Sequence, residues 1–198
     1  MRTIGRQTTA SRPTTNSPRA GRPPDMAAPI CPACGTTARL TDGREIYPHR
    51  PDLADKPIWA CTICEDTYCG CHPGTEEPLG TPADGGLREA RMLLHVHRLD
   101  PIWKSAHRTG GYGYLDAAGV KAVQRAARTR VYRFLAARMG LTEEQCHVGL
   151  FTVEQCRDAW EALAGVTYAQ VRDWAKFGDR QRAKQKHPAA IPAEGAAA

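Results

Sequence analysis

Residues 61–75 read CTICEDTYCGCHPGT, and upstream residues 31–35 read CPACG. A Cys-x2-Cys loop turns tightly, so both thiolates and the neighbouring backbone N–H groups face one ion. Two such loops supply the four ligands of a tetrahedral zinc. Pro32 presets φ in the first loop, and Gly35 tolerates the positive φ that closes it. The two pairs predict a zinc ribbon in which Cys31, Cys34, Cys61 and Cys64 bind one structural Zn2+. The stretch between the pairs leaves room for a hairpin. So small a β module has little core of its own, and a structural zinc supplies about 10–16 kcal/mol of apparent binding energy to such a fold.

The same stretch carries more potential ligands than one zinc uses. Cys69 and Cys71 alternate along a strand and so share a side, with His72 on the other. Far downstream, QCHVGLFTVEQC brings in Cys146, His147 and Cys156. Two readings stand. Cys71 or His72 joins Cys146, His147 and Cys156 around a second metal, or the cysteines are small hydrophobes on buried faces. Cys69 is read as packing, and Cys71-His72 as part of a turn leaving the ribbon.

Outward from the knuckles the chain divides into four. Residues 1–29, rich in Thr, Ser, Pro, Gly and Arg, form a disordered basic leader, with Met26 as an alternative start. Residues 30–80 are the ribbon, 81–177 a helical segment, and 178–198 a disordered basic tail. In the ribbon, TTARLTDGREIY predicts a hairpin around Asp42-Gly43, and PIWAC a strand entering the second knuckle. Thr81-Pro82 is read as the start of a first helix that buries Leu87, Ala90, Leu93, Leu94 and Val96 and ends at Asp100-Pro101. A second helix spans about 119–139, with Val123, Ala127, Val131, Phe134 and Leu135 as its buried stripe and Gly140 as its stop. Three Thr-x-x-Gln boxes, Thr142/Gln145, Thr152/Gln155 and Thr167/Gln170, start further helical turns. The fold class is α+β: a zinc ribbon of short antiparallel strands, then about four helices.

Eight cysteines in a chain with no apolar leader and no run long enough to span a bilayer point to a reducing compartment, read as the cytoplasm. The net charge of +6 sits mostly in the tails: the leader carries five arginines against Asp25. Within the near-neutral middle, charge is segregated. Arg88, Arg91, His95 and Arg98 share one side of the first helix. Lys121, Arg125 and Arg128 share one side of the second, beside Arg130 and Arg133. Residues 142–173 carry two arginines against six acids. Two basic helical faces beside a zinc ribbon suit phosphate contacts, with Arg88, Arg91, Arg98, Lys121, Arg125 and Arg128 as the contact residues. The alternatives are a solvated face, or a protein–protein adaptor using the ribbon as a platform. Oligomeric state is not legible.

An enzyme is the weaker reading. Four cysteines close the zinc site, whereas catalytic zinc keeps an open position. A metal-dependent nuclease using His49 or His72 lacks the accompanying Asp-His and Asn-His pattern.

CPACG, WACTIC, GCHPGTEEPLGTPA, LREARMLLH, DPIWKS and CHVGLFTVEQC together resemble the zinc-finger-containing domain family of unknown function found in phages, prophages and bacteria. The resemblance covers roughly 30–164. It implies zinc ligation by Cys31, Cys34, Cys61 and Cys64. It marks GCHPGT and CHVGLF as family features without giving them a role.

Overall fold

A computed structural model describes residues 27–186. The predicted leader up to residue 26 and the end of the predicted tail lie outside the described residues. A three-stranded antiparallel sheet, order β1-β2-β3, is followed by helices. The strands are β1 (Arg39–Asp42), β2 (Pro57–Ala60) and β3 (Tyr68–Gly70). Trp59 lies opposite Leu40 on one side and Cys69 on the other.

The central strand is short, apolar and buried on both faces. Side chains alternate across a sheet, so Trp59 packs with Ala38 and Cys69 on one face, while Ile58 and Ala60 pack with Tyr68 on the other. Each of these cores is small. Pro57 takes the first strand position, where its missing N–H is tolerated.

The hairpin expected around Asp42-Gly43 does not form. Asp42 instead caps a single helical turn, α1 (Gly43–Ile46), accepting from the Arg44 N–H at 3.0 Å. Gly43 is buried against the turn at 51–53, and a Cβ there would lie 1.9 Å from the Leu53 carbonyl oxygen. The Asp-Gly pair therefore serves a cap and a close backbone approach. β1 finds its partner in β2.

The first helix also starts later than expected. Asp84, not Thr81, is its N-cap, accepting from the Leu87 N–H at 2.8 Å. Ala83 exchanges both backbone hydrogen bonds with Tyr68, so Thr81-Pro82-Ala83 extends the sheet edge. α2 (Gly85–Leu94) does not end at Asp100-Pro101. It widens into a π-helical turn over His95–Leu99, where the Asp100 N–H reaches back to the His95 carbonyl, and runs on as α3 (Asp100–Lys104). The widened turn accommodates the donor that Pro101 lacks. Leu94 is buried as predicted, but Val96 is 50% exposed.

A short α4 (Ala106–Thr109) leads to α5 (Ala117–Met139), the long central helix. Ala127, Val131, Phe134 and Leu135 are buried along it, and Gly140 stops it at φ 66°. All three Thr-x-x-Gln boxes form. Each Thr hydroxyl accepts from the Gln backbone N–H, and each Gln side chain accepts from the Thr backbone N–H. The second box starts α6 (Val153–Ala162), and the third precedes α7 (Tyr168–Lys186), which reaches into the stretch read as tail. One core joins these helices, with Leu94, Leu99, Leu135, Phe151, Tyr168 and Val171 at its centre. No described helix is long and apolar enough to cross a membrane.

Candidate metal centre

The first knuckle is closed by its own backbone. Gly35 N–H donates to the Cys31 carbonyl at 2.9 Å, and Cys31 N–H donates to the Thr36 carbonyl at 2.9 Å. Gly35 holds φ 73°, the conformation its lack of a Cβ permits. In the second knuckle, Cys61 N–H donates to the Thr67 carbonyl at 2.8 Å. The Ile63 and Cys64 N–H groups donate to the Cys61 sulfur at 3.4 and 3.3 Å.

β2 delivers Cys61 beside Cys34, sulfur to sulfur 3.5 Å. The sulfurs of Cys31, Cys34, Cys61 and Cys64 all lie within 4.8 Å of one another. Zinc–sulfur bonds of about 2.3 Å put the edges of a ZnS4 tetrahedron near 3.8 Å, so the donor set and its spacing fit zinc. The Cys34 thiol is pulled down to about 6, chiefly by hydrogen bonding to the Thr36 side chain and backbone.

The left-handed position in the second knuckle falls on Asp66, at φ 47°. Arg88 holds it there. The guanidinium of Arg88 meets both carboxylate oxygens of Asp66 at 3.0 and 2.9 Å, donates to the Ala83 carbonyl at 2.6 Å, and lies 3.8 Å over the Tyr68 ring. The helical segment thus braces the knuckle.

Two knuckles carried by a three-stranded antiparallel sheet define a zinc-ribbon protein. The chain belongs to the zinc-finger-containing domain family, whose model matches residues 27–166. Family and four-cysteine cluster together support a structural zinc site. Neither curated proteins nor solved structures give a match to the chain.

The second metal set does not assemble. Among the described residues, no other group of three or more His, Cys, Asp or Glu side chains converges on a point. Cys71 packs beside Cys69 against the Trp59 core, and burial pushes their thiols up to about 11 and 12. The Cys69 sulfur lies 3.3 Å from the Gly80 carbonyl. His72 starts a tight turn in which its carbonyl accepts from the Thr75 N–H and hydroxyl, and its N–H donates to Glu77. Cys146 and Cys156 are buried in the helical core, Cys146 with its thiol pushed up to about 11 by burial. His147 stacks on Tyr132, ring centroids 6.3 Å apart. These cysteines lie against apolar side chains, and the Cys71-His72 turn lies where the chain leaves the ribbon.

The six basic side chains read as phosphate contacts divide by helix. Arg91 donates to the Phe151 carbonyl at 3.0 Å and to the Thr81 carbonyl and hydroxyl at 2.9 and 3.0 Å, and burial lowers its pKa. Arg88 is the brace just described. Arg98 covers the Trp160 ring at 4.2 Å, with its Nε buried. The basic side of α2 is therefore a packing surface, because guanidinium groups can satisfy several carbonyls at once. On α5 the side chains of Lys121, Arg125 and Arg128 are exposed, and among the described residues none of them has an ion-pair partner.

Sequence reading missed two features. Asp100 accepts from Trp103 and Lys104 and lies 3.5 Å from His95 across the π-turn. Tyr132 sits one turn beyond Arg128, its hydroxyl buried without a hydrogen-bond partner among the described residues. The i, i+4 step from Asp100 to Lys104 was a visible signal for the first. The second had none, since the loop opposite Tyr132 is distant in sequence.

Proposed function

We propose that this chain is a zinc-dependent nucleic-acid-associated protein. Cys31, Cys34, Cys61 and Cys64 hold one structural Zn2+, and the exposed face of α5 contacts phosphates. The observation that carries this reading is the row Lys121, Arg125 and Arg128. The three stand at i, i+4 and i+7 on a helix with no acidic residue, without ion-pair partners among the described residues. Phosphate contacts position a nucleic acid without reading its sequence, and the reading commits to no base specificity.

The test is fluorescence anisotropy of the full, zinc-loaded chain with single- and double-stranded DNA and RNA over a range of salt. Both tails are present in wild type and in Lys121/Arg125/Arg128→Gln, so the difference between the two proteins reports the α5 face alone. The expected result is weaker binding by the variant and a salt slope smaller by about one for each lost contact. Superimposable curves would sink the proposal.

A protein adaptor of phage or prophage type is the second reading, and the knuckles favour it. Ile63 is 69% exposed and Ile30 is 59% exposed, both beside the cluster. Apolar tips on a rigid platform suit a protein partner. Binding to such a partner would be insensitive to salt and lost in Ile63→Asp, with zinc retained.

A further inference from the structure

The basic face of α5 does not lie open along its whole length. Arg125, Arg128, Thr129, Tyr132 and Arg133 form one wall of a cleft of about 380 Å³, and Glu143, Cys146 and His147 form the other. Ligand clefts run from about 300 to 1,000 Å³, so this one suits a small group rather than a duplex. Its walls are fixed. The Cys146 sulfur lies 3.6 Å from the Tyr132 carbonyl, Arg133 pairs with Glu143 at 3.1 Å, and the Thr142/Gln145 box locks the turn that follows α5.

Inside the cleft the donors outnumber the acceptors. Arg133 is engaged by Glu143, which leaves Arg125 and Arg128 without an ion-pair partner among the described residues. Tyr132 adds a buried hydroxyl with no hydrogen-bond partner among them. His147 lies nearly parallel to the Tyr132 ring, at 19°, so its position is set. Burial, and then the charge of Arg128, hold the His147 pKa below its ordinary value, so near neutrality the imidazole offers one N–H donor and one acceptor. Two guanidiniums without a carboxylate partner, Arg128 lying 5.8 Å over the Tyr132 ring, together with a phenol and an imidazole suit a compact oxyanion with several acceptor oxygens.

The charges around the cleft differ from side to side. On the α5 side the surface is basic, and Lys121 continues the row. On the other side stand Glu143 and the exposed Glu144, at the start of the acid-rich segment 142–173. A polyanion threading the cleft would have to pass its next phosphate over those carboxylates. A strand that ends in the cleft leaves only along α5.

We propose that the cleft between α5 and the His147 turn is a phosphomonoester site that receives the terminal phosphate of a nucleic-acid strand. Arg125, Arg128, Tyr132 and His147 bind the phosphate, and Lys121 meets the next one along. This rests on the nucleic-acid reading and narrows it to strand ends.

The experiment compares three labelled single-stranded oligonucleotides of one sequence, bearing a 5′-phosphate, a 3′-phosphate, or hydroxyls at both ends. They are titrated by anisotropy into the full, zinc-loaded chain. One of the phosphorylated strands is expected to bind about tenfold more tightly than the hydroxyl-ended strand, the scale of an added charge-assisted contact. Tyr132→Phe and Arg128→Gln should shrink that preference. Tyr132→Phe keeps the ring that stacks on His147, so a smaller preference reports the lost hydroxyl and not a rearranged cleft. Equal affinity for all three strands overturns the proposal. The nucleic-acid reading then survives if binding is still lost in Lys121/Arg125/Arg128→Gln, and if no strand binds at all, both fall. A 5′-mononucleotide that binds as tightly as the phosphorylated strand would also overturn it, since the ligand would then be a free phosphomonoester.

Discussion

In the ribbon, Trp59 leans on Ala38 and Cys69, and across the sheet Ile58 and Ala60 lean on Tyr68. In the helical segment, one apolar core runs from Leu94 through Leu135 to Val171. The first region has two thin cores separated by a single strand, and the second has a contiguous interior. Burial contributes roughly in proportion to the apolar area removed from water, so the helices hold by packing. The ribbon depends on four sulfurs brought to one point. Within one chain of ordinary size, two kinds of cohesion sit side by side, joined by Arg88, Arg91 and the strand-like 81–83.

The sharpest way to break that contrast is to take the metal away. Chelation, or Cys61→Ser, is expected to unfold the ribbon, since structural zinc contributes about 10–16 kcal/mol of apparent binding energy in such modules. Amide hydrogen exchange should show protection lost across the three strands and kept along α5. Loss of α5 protection at the same metal concentration would make the two regions one cooperative unit. The reciprocal test is Leu135→Ala. Truncating a buried leucine costs about 2–5 kcal/mol, and Leu135 is fully buried. Denaturant melts should lose stability on that scale, while zinc retention against a chromophoric chelator should not change.

Arg88→Ala addresses the joint. It removes a bidentate pair to Asp66 and a cation over Tyr68. A loss of about 1–3 kcal/mol is expected, read as faster zinc release with the helical signal intact. Unchanged release would mean the knuckle does not need its brace.

The smallest effect concerns pH. His95 and His147 both have lowered pKa values, His95 first through burial and with the Asp100 charge opposing it. The unfolded chain therefore takes up these protons first as pH falls. The stability they confer is present above the unfolded value of about 6.5 and is lost as pH drops through it towards the folded values. Melts of zinc-loaded protein between neutral and mildly acidic pH should show that slope, and His95→Gln/His147→Gln should flatten it.

The parts legible in sequence were those whose signal is local. The two Cys-x2-Cys loops, the three Thr-x-x-Gln boxes and the stripe of α5 each have a local spacing, and each took its expected form save for Val123, which is only half-buried. Where two local meanings competed, tertiary contacts decided. Asp42-Gly43 became a cap and a close approach because Leu53 packs over Gly43. Asp100-Pro101 stayed helical because the π-turn absorbed the missing donor. The basic side of α2 read as a surface because side-chain charge is visible in sequence, but the carbonyls of Thr81, Ala83 and Phe151 that engage it are not. The cleft at Tyr132 needed α5 and the turn at 146–147 to meet, which no periodicity announces.

The chain at residues 79–81 touches the turn at 149 closely enough that side chains are excluded. Thr81 N–H donates to the Gly149 carbonyl at 2.9 Å, and a Cβ on Gly80 would lie 2.0 Å from that same oxygen. Thr81 and Gly149 stand 68 residues apart. Closing so long a loop is slow compared with closing a knuckle. A chain leaving the ribosome completes both cysteine pairs well before Gly149 emerges. Both halves of the four-sulfur cluster are thus in hand before the segment that docks the ribbon onto its helices has been made.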